Sequence, residues 1–334
     1  MVELIKILVS LDAVSGNEDA VRDFIIGEIS PYCKLSVDPL GNIIACKEGK
    51  RTPAKKILLD AHMDEVGLIV TSVTDDGFLR FNVLGGINTS ALMFRAVRIN
   101  GKINGVICGK PIHLISGDEE KKLPQADSLY IDIGAASREE AESIVSPGDR
   151  AVMISDFTVE GDKIISKALD DRIGCAILIK LLKEYDEYSF TATFTVQEEV
   201  GLRGAKVAAY SVNPDAAIIV ESTTAADIAD VPADKTVCRL GHGAAISFMD
   251  RATVYDREYY NAALASGIPA QSKEAVAGGN NAGSVHLSRG GVRTLAISVP
   301  CRYIHTNSSV AALGDVDAAF KLCKYMIEYI ADDK

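Results

Sequence analysis

The chain has no tryptophan, and aromatic residues fill only 6% of its 334 positions. It also lacks a basic excess. Lys and Arg number 35 against 46 Asp and Glu, a net charge of −11, which excludes the extended basic surface that phosphate-backbone binding requires. No apolar run approaches the roughly 18 residues of a membrane span. The opening stretch, MVELIKILVSLDAVSGNEDA, has neither a basic leader region nor a small-residue cleavage site, so no export signal is expected. Cysteine forms no CxxC pair: Cys33, Cys46, Cys108, Cys175, Cys238, Cys301 and Cys323 are scattered and odd in number, and read as reduced, mostly core thiols. These absences point to a soluble cytoplasmic protein whose partners include neither nucleic acid nor membrane. What remains is an ordinary globular balance, 48% hydrophobic and 24% charged, which excludes disordered, collagen-like and coiled-coil chains. At roughly 150 residues per domain the length suggests about two domains.

Hydrophobic texture divides the chain. Ser15-Gly16-Asn17-Glu18 has the form of a capping box, followed by Val21, Phe24, Ile25 and Ile29 at helical spacing, so a helix is expected near 17–29. Short apolar runs at 57–61 and 66–70 read as strands. From about 70 to 160 short β-rich runs alternate with Gly, Asp and Asn turns, interrupted by one helix opened at Ser137 and by an exposed loop at 116–127. Beyond Gly161 strands and helices alternate: a buried helix at 171–185, strands at 190–197, 216–220 and 293–299, and helices at 256–266 and 315–330. Strand–helix alternation on both sides of a β-rich stretch predicts one three-layer α/β domain with a mostly parallel sheet, residues 1–66 and 161–334. A small β-barrel-like domain, 67–160, is inserted into it.

Side chains able to bind metal fall where strand-like runs end: His62, the pair Glu198 and Glu199, Glu221, and His305, with Asp170 just ahead of the buried helix. Open α/β sheets bind ligands beyond the carboxyl ends of their strands, so the coincidence of four such ends predicts a metal site. In HMDEVG (62–67), Asp64 is placed to orient the histidine, because a ligating imidazole usually gives its second N–H to a carboxylate. In ALDDRIG (168–174), Asp170 and Asp171 stand at a helix start where the dipole favours carboxylates, and capping alone accounts for one of the two. Glu198 and Glu199 are adjacent, so on extended chain they point to opposite sides. One can bind metal while the other faces water.

The motifs HMDEVG, ALDDRIG, QEEVGLRGA, GGNNAGSVHLSRGGV and VPCRYIHT, in this order along nearly the whole chain, closely resemble the deblocking and glutamyl aminopeptidases, also called tetrahedral aminopeptidases. The resemblance implies a two-metal centre in which His62, Asp170 and Glu221 hold one ion, and a bridging Asp170 with Glu199 and His305 holds the other. It implies that Glu198 is the catalytic acid/base, beside Asp64, and that two divalent ions, zinc foremost with cobalt or manganese as alternatives, are the cofactors. It further implies peptide substrates and a dimer-built homo-oligomer, up to a hollow twelve-subunit particle, with contacts made by the insert. Two positions depart from the family pattern. Gly278-Gly279-Asn280-Asn281 carries an amide where an acid is usual, and Glu221 stands where Asp is frequent. His113, His242 and His286 are expected outside the ligand set.

The function expected from these residues is metal-dependent removal of N-terminal residues from peptides. A deacylase or carboxypeptidase would use the same chemistry. A glycanase is disfavoured, because glycosidases need two carboxylates roughly 5–9.5 Å apart across the bond, a poor match to adjacent glutamates in a chain without tryptophan. A catalytically silent binding or assembly protein, the remaining class, would have no need of an intact ligand set.

Overall fold

In the computed structural model, which describes residues 1–114 and 124–332, four parallel strands lie side by side in the order Phe190–Thr195, Ile57–His62, Ala216–Thr224, Arg293–Arg302. Their residues alternate between two cores, as period-two geometry dictates. Leu59, Ala61, Ile218, Val220, Leu295 and Ile297 face one hydrophobic cluster, while Leu58, Ala217, Ile219 and Ala296 face another. The first side is covered by the helices Val2–Ser10, Asp19–Ile29, Leu169–Glu184, Arg257–Leu264 and Leu313–Ala331, the second by Arg203–Val212 and Ala282–Val285. This is the three-layer α/β arrangement. Among the described strands, parallel pairing is confined to its centre and one outlying pair, Ala244–Ile246 with Ala270–Ser272. Antiparallel strands flank it, Ile43–Lys47 and Lys34–Val37 on one side, Ser309–Ala312, Lys163–Ser166 and Thr158–Glu160 on the other.

A closed six-stranded barrel, Gly67–Val73, Leu79–Leu84, Tyr130–Asp132, Ile103–Cys108, Ala96–Ile99 and Arg150–Met153, follows directly on the His62 strand. It has its own core of Leu68, Val70, Leu79, Phe81, Val97, Ile107 and Ile131. The strand Thr158–Glu160, which the sequence places in the insert, pairs instead with Lys163–Ser166 in the large sheet. Residues 116–123 of the expected loop lie outside the described residues.

One local expectation fails. Ser15 does not cap the helix at Asp19; its hydroxyl donates to Asp64 Oδ2 at 2.6 Å. As a cap the hydroxyl would accept from a helix amide, but here it gives its proton to a buried carboxylate in a charge-assisted bond, and Glu18 takes the N-cap position. Four of the seven cysteines are buried, two are half-buried and Cys46 is exposed; all are free. Among the described residues no helix is long and apolar enough to cross a membrane.

Candidate metal centre

The carboxyl ends of the central strands deliver the predicted side chains to one place. Asp60 pairs with Ile219 and Thr195 with His62, so His62 and Glu221 stand at one level of the sheet and Glu198 and Glu199 follow just beyond the neighbouring strand. The helix Leu169–Glu184 packs against the His62 and Glu221 strands and sets Asp170 between the two histidines. His62 Nε2 lies 3.3 Å from Asp170 Oδ1 and 3.3 Å from Glu221 Oε1. His305 Nε2 lies 3.3 Å from Asp170 Oδ2 and 3.2 Å from Glu199 Oε1. The two oxygens of Asp170 thus face two different imidazoles.

Each histidine turns its other nitrogen to a main-chain carbonyl, His62 Nδ1 to Asp64 O at 3.0 Å and His305 Nδ1 to Gly86 O at 3.2 Å. A carbonyl can only accept, so Nδ1 carries the proton and Nε2 is left as the ligand atom. Gly86 belongs to the loop leaving the barrel strand Leu79–Leu84, so the barrel orients one histidine of the site. Asp171, the neighbouring acid, is committed elsewhere: it accepts the amides of Gly174 at 2.9 Å and His62 at 3.2 Å. The Asp170–Asp171 peptide is cis.

Asp64 supports rather than joins the cluster. Its Oδ1 accepts the amide of Glu198 at 2.9 Å and lies 3.4 Å from His62 Nδ1. Its Oδ2 accepts the amide of Glu199 at 3.2 Å and the Ser15 hydroxyl. Burial alone raises its pKa, but these donors outweigh it and hold the carboxyl below its usual range. Left-handed backbone marks the surrounding turns: Ala168, Gln197, Leu202, Tyr303 and His305 all have φ between 52° and 60°. Such residues cost of order 1–3 kcal/mol each and persist where the surroundings over-determine them, commonly at functional sites.

The donor set fits divalent cations. Two histidines and three carboxylates suit zinc and its first-row neighbours. His62, Asp170 and Glu199 offer ligand atoms within 4.8 Å of one another, and so do His62, Asp171 and Glu221. Buried Glu199 Oε1 and Glu221 Oε2 have no hydrogen-bond donor, a costly condition that a cation would relieve. Burial pushes the Glu221 carboxyl up to about 8 despite His62. The carboxylates in turn raise His305 to about 11 against the effect of its burial. Protons there occupy positions that a metal would take. A cavity of about 410 Å³ opens onto the cluster, bounded by Glu198, Ser222, Lys273, Asn280 and Ser298 among others. A larger groove of about 640 Å³ at the opposite ends of the strands contains none of these groups.

Several residues of the site's foundation were not singled out from the sequence. Glu65, Lys167 and Arg172 form a buried ionic knot beneath it: Lys167 Nζ is 2.8 Å from both oxygens of Glu65, and Arg172 Nη2 is 3.1 Å from Oε1. Arg172 also donates to the carbonyls of Met63, Leu8 and Leu11. On the other face of the sheet buried Asp60 accepts from Thr193 Oγ1 at 2.6 Å and Asn281 Nδ2 at 2.7 Å. Burial pushes Asp60 up to about 6, so the amide at 281 meets a buried carboxylate with a donor where an ionised acid would repel it. The HMDE and LDDR runs did contain Glu65 and Arg172, but nothing in one sequence pairs them. His113 and His242 are exposed, and His286 Nδ1 meets Ala282 O at 2.6 Å; none joins the cluster.

A model of the M42 glutamyl aminopeptidase family matches residues 41–322. A protein of Acetivibrio thermocellus whose aminopeptidase designation is provisional is 41% identical over 96% of this chain and 97% of its own. Among solved structures, an aminopeptidase from the archaeon Desulfurococcus kamchatkensis superposes with a TM-score of 0.93 at 35% identity, covering 100% of this chain and 97% of the other. The TET1 peptidase of Pyrococcus horikoshii, which can assemble into a tetrahedron or a large octahedral shell, superposes with a TM-score of 0.85 at 34% identity, over 97% of this chain and 98% of its own.

Proposed function

The chain belongs to the M42 glutamyl aminopeptidase family and is a peptidase, and from that premise we propose that it removes N-terminal residues from peptides at a two-ion centre with Glu198 as general base. The observation that carries this reading is Asp170, whose two oxygens each lie 3.3 Å from the Nε2 of a different histidine. A carboxylate so placed can be shared by two ions, the arrangement of two-metal hydrolases. His62, Asp170 and Glu221 would hold one ion, and Asp170, Glu199 and His305 the other. Zinc is the first choice, and cobalt or manganese would also be accepted by such a donor set. When bound, divalent ions there polarise the scissile carbonyl and acidify water.

The chain's own residues do the rest. The Glu198 carboxylate takes a proton from the attacking water and hands it to the leaving amine nitrogen. Asp64 fixes the turn on which this depends, since its two oxygens hold the amides of both Glu198 and Glu199. Left-handed Gln197 and Leu202 close the same turn on either side. The cavity of about 410 Å³ opens directly onto the cluster, where a peptide's terminal residue can be received. The division into a catalytic α/β domain and an inserted barrel belongs to the same reading, with the barrel closing at Met153. We assign the barrel the contacts of a homo-oligomer. This is supported by the assembly of the Pyrococcus horikoshii neighbour and by Phe94 and Leu114, which stand exposed on or beside the barrel.

The test is Glu198→Gln, which keeps size and hydrogen bonding but removes the proton acceptor. It should retain two ions per subunit and lose on the order of 10²–10⁴ in turnover of aminoacyl substrates. A variant that keeps its metal and near-wild-type turnover would remove Glu198 from this role. Acyl and glycan substrates in the same panel separate the alternative hydrolases.

A further inference from the structure

Residues 277–280 form one wall of the cavity that opens onto the cluster. Their hydrogen bonds run to segments that carry no proposed metal ligand. Gly278 O accepts the amide of Arg251 at 3.0 Å, and Ala277 O accepts from Lys273 Nζ at 2.9 Å. Asn280 meets the Tyr255 hydroxyl with both ends of its amide, at 3.1 and 3.3 Å. The next residue is held differently. Asn281 is fully buried, and its Nδ2 donates to Asp60 Oδ2 at 2.7 Å and to Thr195 Oγ1 at 2.9 Å. Its Oδ1 has no partner among the described residues, so these two bonds are the whole polar role of the side chain.

Both partners belong to strands that build the site. Asp60 and His62 lie two apart on one strand and share a face of the sheet, and Thr195 pairs with His62 across the sheet, just ahead of Glu198. Thr193 Oγ1 braces the Asp60 carboxylate at 2.6 Å. Hydrogen bonds to a carboxylate are among the strong ones. Packing adds a second constraint. Gly283 lies in the short helix that Asn281 opens, and a Cβ there would stand 2.8 Å from Ala252 Cβ and 3.0 Å from Leu202 Cδ1. Leu202 closes the turn of Glu198, whose carbonyl accepts its amide at 2.8 Å. The start of the helix is thus wedged against the turn of the proposed base, and the bond to Asp60 sets its height above the sheet.

We propose that Asn281 is a positioning residue that acts through Asp60: it clamps the cavity wall 277–280 to the His62 strand, and so aligns a substrate's terminal residue with the cluster and Glu198. The inference rests on the aminopeptidase reading and concerns alignment rather than metal binding. Without the amide the wall keeps only its bonds to the outlying segments and can shift against the site. A displacement of about 1 Å can cost 10²-fold in rate.

The experiment measures kcat and KM for leucyl, alanyl, lysyl and glutamyl p-nitroanilides with zinc, cobalt or manganese added to the full chain. Asn281→Ala should bind as much metal as wild type and lose about 10- to 100-fold in kcat on the best substrate. A loosened wall discriminates less, so the kcat/KM ratio of best to poorest substrate should shrink by about fivefold or more. Asp60→Ala should do the same, and the double variant should be no worse than either, because the two residues act as one unit. The exchange Asp60→Asn with Asn281→Asp re-forms the bond in reverse, since the hydroxyls of Thr193 and Thr195 can donate or accept; its ratio should return to within about threefold of wild type. In metal-free Asn281→Ala the amides of Gly283, Ser284 and Val285, bonded to the carbonyls of Asn280 and Asn281, should exchange hydrogen faster than in wild type. Equal losses on all substrates, additive losses in the double variant, loss of metal or unchanged exchange would each overturn the clamp. Should the alanine variants not fold, the exchange variant decides: a wild-type ratio supports the clamp and any other result overturns it. Failure of the metal-loaded wild type on every substrate would overturn the aminopeptidase reading and this role with it.

Discussion

Replacing Asp64 by Asn tests whether the site depends on one carboxylate that touches no substrate. Three hydrogen bonds end on its two oxygens, from the amides of Glu198 and Glu199 and the Ser15 hydroxyl, and the His62 imidazole lies 3.4 Å away. Asparagine has one acceptor oxygen. Its best orientation keeps that oxygen at the Oδ1 position, for Glu198 and His62, and turns the NH₂ toward Ser15, whose hydroxyl can rotate to accept. The Glu199 amide is then left facing a donor in a buried place. Losing one charge-assisted bond there costs about 1.5–3 kcal/mol, and the remaining bonds weaken as the charge disappears, so about 3 kcal/mol in all is expected. With an unfolding entropy of about 2.1 cal/mol/K per residue over 334 residues, that lowers Tm by about 4 °C. Metal affinity should fall about 10- to 100-fold, the usual effect of losing a partner behind a ligand. Differential scanning calorimetry of the metal-free protein and competition with a chromophoric chelator measure the two separately. A variant within 1 °C and twofold of wild type in these assays would refute the idea that Asp64 organises the site.

Other outcomes follow from the same geometry. Glu18 Oε1 accepts the amides of Gly16 and Gln197, and burial, with Asp64 nearby, pushes its carboxyl up to about 7. The folded state therefore binds this proton more tightly than the unfolded one, and stability falls as pH rises from about 4.5 to 7. Glu18→Gln keeps both bonds through one oxygen, so it should gain stability over wild type above pH 7 and not near pH 4.5; Tm curves that stay parallel across this range would contradict it. Glu65→Ala strands Lys167 and Arg172, both buried, and should destabilise by about 3–5 kcal/mol, read as a shifted urea midpoint; a change below about 1 kcal/mol would show the knot to be dispensable.

The residues that gather at the candidate site were legible in the sequence because strand ends and metal-binding residue types are both local signals. His62, Glu199, Glu221 and His305 could each be placed at the end of an apolar run, and those runs are the four central strands. The helix predicted from Asp171 starts at Leu169, a small error at an end where Asp170 and Asp171 leave helical geometry. What a single sequence could not show were pairings across long separations. Ser15 looked like a cap because its competitor, Asp64, is 49 residues away. A strand at 190–197 is legible, but not that its Thr193 and Thr195 are buried and turned toward Asp60. The bond between Asp60 and Asn281 was invisible for the same reason.

The Glu65–Lys167 ion pair closes the barrel's excursion, joining residues 102 apart immediately after His62 and immediately before Asp170. This has a temporal consequence. During synthesis the barrel strands, ending at Met153, are complete before the ribosome has made most of the large sheet, and His305 is made 135 residues after Asp170. At about 5–20 residues per second that is a delay of roughly 7–27 s. The strand before His305 pairs with the Glu221 strand along its whole length, so the last histidine cannot take its place until the sheet is essentially built. The last histidine of the cluster thus reaches Asp170 only once the central strands that carry its neighbours are in place.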